Sequence, residues 1–174
     1  KKKIDVIIHC AVVHEFSQKK GLNDYINSNI KSLSNLINYA QKSDVKLIIN
    51  FSTVTVYGLV NQKLLKENYR PQNQNILGVT KILAEKLLFS QNINFINIRM
   101  PGILCSNKRL KRPWIQTVIN KIKNGNKLKV FNANNYFNNV TDTEDIFRFL
   151  IFIIKKKITI KDTFNFSAIK PIKV

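Results

Sequence analysis

The sequence KLIINF at residues 46–51, followed by ILGVTKILAEKLLFS at 76–90 and INFINI at 93–98, decides the fold class. The two short runs are rich in isoleucine and largely apolar, which is typical of strands buried on both faces of a parallel sheet. The segment between them places Leu77, Lys81, Ala84 and Leu87 or Leu88 at helical spacing. A helix of this length between two buried strands predicts a crossover connection and therefore parallel pairing.

The same alternation extends to both ends of the chain. IDVII at residues 4–8 predicts another buried strand, and 23–41 predicts an amphipathic helix. After residue 100 the segments become shorter; the expected elements there are helices at 114–123 and 144–156 and strands at 127–131 and 163–166. We expect an α/β domain over residues 1–100 and a small lobe over 101–174, packed together as one structural unit.

The charge of the chain raises the question of nucleic-acid binding. Lys and Arg number 29 against 10 Asp and Glu, which gives a net charge of +19. The basic residues are scattered, with short runs only at 1–3, 108–112 and 155–157, and they are not interleaved with aromatic side chains that could stack on bases. We expect no nucleic-acid partner, although a basic surface favours anionic small molecules.

Membrane and metal functions also find little support. The longest apolar run, IFRFLIFII at 146–154, is shorter than the ~20 residues that span a bilayer and contains Arg148. The basic and then apolar start, KKKIDVIIHC at 1–10, has no small-residue cleavage site, so we expect no signal peptide. The two cysteines, Cys10 and Cys105, have no spacing that predicts zinc, so we expect no metal site, and Cys10 is predicted to be a small core residue. A reducing, cytoplasmic location is expected.

Polar side chains follow each predicted strand. The sequences are HCAVVH at 9–14, STVTVYG at 52–58 and RMPG at 99–102, and LGVTK stands at 77–81 near the start of the second long helix. Ligands of open parallel sheets bind at the carboxyl ends of the strands. These segments are therefore the candidate site.

Six segments, in this order, resemble the extended short-chain dehydrogenase/reductase family of the nucleotide-sugar epimerase/dehydratase type. They are IDVIIHCAVV (4–13), NSNIKSLSNLINYA (27–40), NFSTVTVYG (50–58), LGVTKILAEKLL (77–88), IRMPGIL (98–104) and NNVTDTEDIFRFL (138–150). The resemblance implies a Rossmann-like three-layer sheet, of which this chain is the C-terminal half, with a partial substrate-binding lobe. It also implies NAD or NADP as cofactor, a nucleotide-sugar substrate, epimerase, dehydratase or reductase chemistry in surface-polysaccharide synthesis, and a homodimer.

Site residues carry over from the resemblance position by position. Thr53 falls on the hydroxyl that hydrogen-bonds the substrate, and Lys81 on the lysine that binds the nicotinamide ribose. The remaining cofactor-binding positions are Cys10, Ala11, Val12, Asn29, Met100 and Pro101. Simpler interpretations stay open: Thr53 could satisfy backbone groups in a turn, and Asn29 could be one more Asn on an Asn-rich helix.

The sequence departs from the family pattern at two points. Leu77 stands four residues before Lys81, where the family has the tyrosine that exchanges a proton. The glycines lie at 21, 58, 78, 102 and 125, so no glycine-rich pyrophosphate loop can form, and we expect the chain to be truncated at its N-terminus. Whether the chain is an active enzyme is therefore open. The alternative is a degenerate family member or gene fragment that acts as a binding or scaffolding subunit.

Other residues with possible chemistry receive structural interpretations. His9 is expected to be packed or capped rather than a ligand. Asp142 and Asp145 precede an apolar helix, which predicts N-capping. Tyr57 is expected to pack, and Trp114 and Phe137 are predicted to line the core of the small lobe.

Overall fold

The computed structural model describes residues 3–14, 20–62, 64–104, 113–129, 134 and 136–173, with only the backbone at 113–116, 137 and 172–173. The chain forms two compact units. The first comprises Lys1–Met100 and Phe152–Phe166, and the second comprises Pro101–Ile151 and Ser167–Val174. The side chains of Trp114 and Phe137, predicted to line the core of the lobe, lie outside the described residues.

A four-stranded parallel sheet organises the first unit, in the order β1-β2-β3-β7. Its strands are β1 (Val6–His9), β2 (Leu47–Thr53), β3 (Phe95–Met100) and β7 (Lys161–Asn165). The first three correspond to the predicted strands, displaced by one or two residues at their ends. The predicted α/β fold with parallel pairing is confirmed.

The fourth strand differs from its predicted place. Residues 163–166 were assigned to the lobe, because a short polar strand carries no local signal of its partner. In the structure β7 pairs with β3 from Phe95↔Lys161 to Arg99↔Asn165. Phe152–Phe166 therefore belongs to the first unit, and only Pro101–Ile151 and Ser167–Val174 form the second.

Helices cover one face of this sheet. The predicted helix 23–41 consists of α1 (Leu22–Tyr25), a π-helical segment (Ile26–Lys31) and α2 (Ser32–Lys42). The second helix, α3 (Ile76–Phe89), matches its prediction, and Asn75 caps it by accepting a 2.9 Å hydrogen bond from the Gly78 N–H. The core between α2, α3 and the sheet is apolar; its members are Leu33, Ile37, Ala40, Val45, Ile48, Ala84, Leu88, Ile93 and Phe95.

The edge of the sheet at β1 is less well covered. Among the described residues β1 pairs with β2 alone. Ile8 in β1 is 40% exposed, and Ile4, two residues before the strand, is 44% exposed. At the amino ends of β1 and β2 lies a cavity of about 560 Å³, lined by Asp5, Val6, Lys46, Leu47, Ile153, Ile154, Lys157, Ile158 and Thr159. Parallel sheets are normally buried on both faces, so this corner of the unit is apolar surface left open to solvent.

The second unit contains short pairs of strands and two helices. The strand β4 (Gly102–Leu104) runs parallel to β6 (Val140–Asp142), and β5 (Tyr136–Phe137) is antiparallel to β8 (Ile172–Lys173). The helices are α4 (Pro113–Lys123) and α5 (Thr143–Lys155); the residues of α5 from Phe152 onward belong to the first unit. The described part of the predicted strand 127–131, residues 127–129, has no regular structure.

The N-cap predicted for α5 and the burial of this helix can be described. The Asp142 carboxylate accepts a 2.8 Å hydrogen bond from the Asp145 N–H, so the predicted N-cap is confirmed. The helix is amphipathic rather than buried all round: Ile146 and Ile153 are buried, whereas Phe147 and Phe152 are more than half exposed. In the described part of the chain, no helix is long and apolar enough to cross a membrane.

Candidate functional site

The carboxyl ends of the first three strands bring the predicted site residues of the first unit to one edge of the sheet. Thr53, the last residue of β2, stands in register with Met100, the last residue of β3. The adjacent strand β1 ends at His9, so Cys10 follows it at the same edge. Pro101, also predicted to bind cofactor, is buried and is the first residue of the second unit.

Lys81 is the most unusual side chain at this edge. It is only 2% exposed, and among the described side chains its Nζ is the buried polar atom with no hydrogen-bond partner. Burial lowers the pKa of Lys81 to about 8, against weaker opposing effects of Cys10 and Glu85. A lysine on a helix is ordinarily solvated, so this unpaired, buried ammonium indicates a site kept for a ligand.

The segment after β1 is open to solvent. Cys10, Ala11 and Val12 are all exposed. The prediction that Cys10 is a core residue is wrong, because the strand ends one residue earlier and the core does not extend past it. Partial burial raises the pKa of the Cys10 thiol, and the charge of Lys81 opposes that rise.

Asn29 connects this segment to the helix that carries Lys81. It is fully buried within the π-helical segment, and its Oδ1 accepts a 2.8 Å hydrogen bond from the Val13 N–H. Its Nδ2 donates to the Thr80 hydroxyl at 3.0 Å. The wider π turn leaves room for such an inserted polar side chain. Asn29 is therefore part of the framework of the site, which its position on an Asn-rich helix could not reveal.

Thr53 has a more local set of contacts. Its Oγ1 accepts a 3.2 Å hydrogen bond from the Thr55 N–H and lies 2.9 Å from the Thr55 hydroxyl. It thereby caps the 3-10 turn Val54–Tyr57 that follows β2. These are the turn contacts of the simpler interpretation. The side chain is only partly buried, so a ligand at the strand ends could still reach its hydroxyl.

Gly78 determines how closely α3 approaches that turn. A Cβ at this position would lie 2.5 Å from the Thr55 carbonyl oxygen, which is closer than two atoms can pack. The absence of a side chain therefore places the start of α3 against the residues after Thr53. Leu77, at the family's tyrosine position, is 1% exposed there and offers no group that can exchange a proton.

A buried ion pair between α3 and β3 was not predicted from the sequence. Arg99 on β3 donates to both carboxylate oxygens of Glu85 on α3, at 3.0 Å from Nε and 2.7 Å from Nη2. Ser52 also donates to Glu85, while Arg99 Nη1 donates to the Tyr57 hydroxyl at 2.7 Å. Tyr57 is fully buried and therefore does pack as expected, with its hydroxyl held by polar partners. The signal that could have found this pair is two opposite charges on elements predicted to be buried.

A chain of polar side chains crosses the same face of the sheet. His9 is 3% exposed and contacts Asn50 at 3.1 Å and the Ser32 hydroxyl at 3.1 Å. Asn50 donates to Asn97 at 2.8 Å, and Asn97 donates to Thr163 at 3.1 Å. Burial lowers the pKa of His9 and the nearby charge of Lys81 lowers it further, although the hydrogen bond with Asn50 opposes them. His9 is thus a packed residue, as expected.

No group of three or more His, Cys, Asp or Glu suited to a metal ion occurs in the part of the chain that the structure describes.

Comparison with known proteins places this geometry in a family. The sequence matches the NAD dependent epimerase/dehydratase family over residues 1–166. The chain belongs to this family. No match was found among curated proteins.

Solved structures similar to the chain share its fold. The Bordetella bronchiseptica enzyme WbmG, in complex with NAD and UDP, gives a TM-score of 0.78 at 18% identity over 97% of this chain and 52% of that one. The Bacillus cereus UDP-glucuronic acid 4-epimerase, in complex with NAD, gives 0.78 at 22% identity over 97% and 56%. RMD from Pseudomonas aeruginosa, complexed with NADPH, gives 0.73 at 17% identity over 97% and 62%. The chain thus spans about half the length of the structures it matches first, and the Rossmann-like fold class is confirmed.

Proposed function

We propose that the chain is the nicotinamide-side half of an NAD(P)-dependent epimerase, dehydratase or reductase that acts on a nucleotide sugar. The observation that carries the proposal is the buried Lys81 ammonium without a partner at the carboxyl edge of the sheet. Leaving such a charge unpaired is costly unless a ligand supplies acceptors. The family is NAD dependent, and the ribose hydroxyls of NAD are acceptors for hydrogen bonds from the Lys81 ammonium.

The residues present fit a nicotinamide nucleotide. Lys81 would donate hydrogen bonds to the nicotinamide ribose, and the exposed segment Cys10, Ala11 and Val12 would line the ring with Met100. Asn29 holds that segment through Val13 and holds α3 through Thr80. Pro101 keeps its expected role as a cofactor contact within this proposal. When bound, the nicotinamide supplies hydride transfer.

The proposed site lacks one of the family's proton-transfer groups. Thr53 can donate a hydrogen bond to a substrate oxygen, and this bond would position the substrate and polarise that oxygen. Leu77 cannot give or take a proton, and losing one proton-transfer group typically costs a factor of ~10²–10⁴ in rate. This one residue also favours a second candidate function, a family member without turnover that serves as a binding or scaffolding subunit.

A nucleotide-sugar substrate agrees with the UDP and UDP-glucuronic acid bound in similar structures and with the chain's net charge of +19. A homodimer is supported by the exposed apolar side chains Ile76, Val79 and Leu83 along α3. The proposal also includes a cytoplasmic location and a role in surface-polysaccharide synthesis.

Replacing Leu77 tests whether a missing proton-transfer group limits turnover. In a complex with NAD and a UDP-sugar, Leu77→Tyr is expected to raise turnover by ~10²-fold or more, because it supplies the missing proton-transfer group beside Lys81. Leu77→Phe is the matched control, since it adds the ring without the hydroxyl. Turnover can be followed by the change of the sugar in NMR spectra. Equal turnover in Leu77→Tyr and Leu77→Phe would contradict the assigned proton path.

A further inference from the structure

The buried ion pair between Arg99 and Glu85 lies one helical turn from Lys81. Lys81 and Glu85 are four residues apart on α3, a spacing that places two side chains on the same helix face. Both are 2% exposed, and the negative charge of Glu85 already acts on Lys81. A Lys and a Glu so placed ordinarily form an ion pair. Here they do not.

The contacts of Glu85 explain why. Its Oε2 accepts from Arg99 Nη2 at 2.7 Å, and its Oε1 accepts from Arg99 Nε at 3.0 Å and from the Ser52 hydroxyl. Both oxygens are therefore turned toward β2 and β3, away from the first turns of α3. Arg99 is fixed in turn, because its Nη1 donates to the Tyr57 hydroxyl and to the Glu67 carbonyl at 2.8 Å.

We propose that Arg99 is a positioning residue that acts through Glu85: by holding both carboxylate oxygens, it prevents Glu85 from closing an ion pair with Lys81 and leaves the Lys81 ammonium free for a ligand. The bidentate geometry matters, since the planar guanidinium fixes the direction of the carboxylate as well as its charge. The role of Arg99 is therefore neither catalytic nor only a matter of packing. The ligand part of this inference rests on the proposed function, whereas the separation of Glu85 from Lys81 does not.

Removing the guanidinium should redirect Glu85. In Arg99→Met the buried carboxylate loses its cation, and Lys81 is the cation next to it on the same helix face. The pKa of Lys81, about 8 in the native chain, is expected to rise by roughly one to three pH units, the usual effect of a close opposite charge. Among the residues that the structure describes, the other titratable groups that interact with Lys81 are Cys10 and His9, and neither is substituted in this variant.

The experiment is an NMR titration of lysine side chains in the full chain. The Lys81 signal is identified by its loss in Lys81→Met. Arg99→Met/Glu85→Gln is expected to return the pKa of Lys81 to about 8 or lower, because no carboxylate is left to move. Arg148→Met is the control, since it breaks exposed ion pairs with Glu144 and Asp145 far from this cluster in sequence and leaves the Lys81 signal unchanged.

A second variant allows the same measurement in case Arg99→Met does not fold. Should Arg99→Met not fold, Arg99→Lys keeps the cation but cannot hold both oxygens, and a smaller rise in the pKa of Lys81 is expected. An unchanged pKa of Lys81 in whichever of the two variants folds would overturn the proposal.

Binding of nicotinamide mononucleotide, measured on the same samples, separates this inference from the proposed function. A raised pKa of Lys81 with weakened binding supports both. A raised pKa in a chain whose native form binds no nicotinamide mononucleotide supports the positioning of Glu85 and contradicts the proposed function.

Discussion

Replacing Lys81 with methionine should stabilise the protein, although it removes the residue on which the proposed function depends. Methionine has a similar length and helix propensity but no charge. Lys81 Nζ has no hydrogen bond to lose. The substitution therefore removes the cost of burying an unpaired ammonium and little else.

The size of the effect follows from the pKa of Lys81. Burial lowers it from an ordinary value of 10.5 to about 8. Each pH unit corresponds to ~1.4 kcal/mol, so the buried charge costs about 3 kcal/mol at pH 7. Between pH 8 and 10.5 the folded chain has released this proton while the unfolded chain still holds it, so the native protein gains stability as the pH rises. The advantage of Lys81→Met should therefore fall to roughly 1 kcal/mol near pH 10.

Denaturant unfolding followed by circular dichroism measures this directly. Native protein, Lys81→Met and Lys86→Met are compared at pH 7 and pH 10. Lys86 is the matched control because it is exposed on the same helix. The expected result is a higher midpoint for Lys81→Met alone, with a smaller difference at pH 10. A Lys81→Met variant that is less stable than the native chain at pH 7 would show that the ammonium has a partner, and the reasoning would be refuted.

Three further predictions concern the surroundings of the site. Gly78→Ala should destabilise the protein by about 1–3 kcal/mol despite the better helix propensity of alanine, because its Cβ would lie 2.5 Å from the Thr55 carbonyl oxygen. The control is Val79→Ala on the exposed face of α3. Equal melting temperatures in the two variants would argue against a close approach of α3 to Thr55. The isolated chain should self-associate in sedimentation at physiological salt through the open edge of β1. Ile8→Lys should reduce this association, whereas Leu22→Lys on α1 should not; a sharp monomer of the native chain would contradict the prediction. NADH should bind this chain weakly, since its glycines at 21, 58, 78, 102 and 125 form no pyrophosphate loop, and micromolar affinity in calorimetry would count against that view.

The sequence predicts the parallel sheet well because its signals are local. The isoleucine-rich runs at β1, β2 and β3 and the helical spacing of α3 need no knowledge of distant residues. The strand β7 was placed in the wrong unit because its partner β3 lies more than sixty residues earlier, and a short polar strand does not indicate its neighbour. Its pairing depends on tertiary contacts that periodicity cannot report.

The candidate site residues could be proposed from the sequence, but their burial and their hydrogen-bond partners could not. Thr53 and Lys81 were proposed from their motif positions; in the structure Thr53 ends β2, and Lys81 lies on α3, where its charge acts on His9 and Cys10 at the end of β1. The complete burial of Lys81 and its missing partner depend on what Glu85 binds instead, and that is Arg99 on another element. The exposure of Cys10 could not be predicted from its apolar neighbours, because it depends on which residues of other elements pack over the end of β1.

The central claim is that Lys81 is kept unpaired in order to bind the nicotinamide ribose, and one titration tests it most directly. Nicotinamide mononucleotide is titrated by calorimetry into the native chain, Lys81→Met and Lys86→Met. Lys81→Met is expected to bind roughly 10- to 100-fold more weakly, the loss expected for a hydrogen bond to a charged group, while Lys86→Met binds like the native chain. Equal affinity in the native chain and Lys81→Met would contradict it.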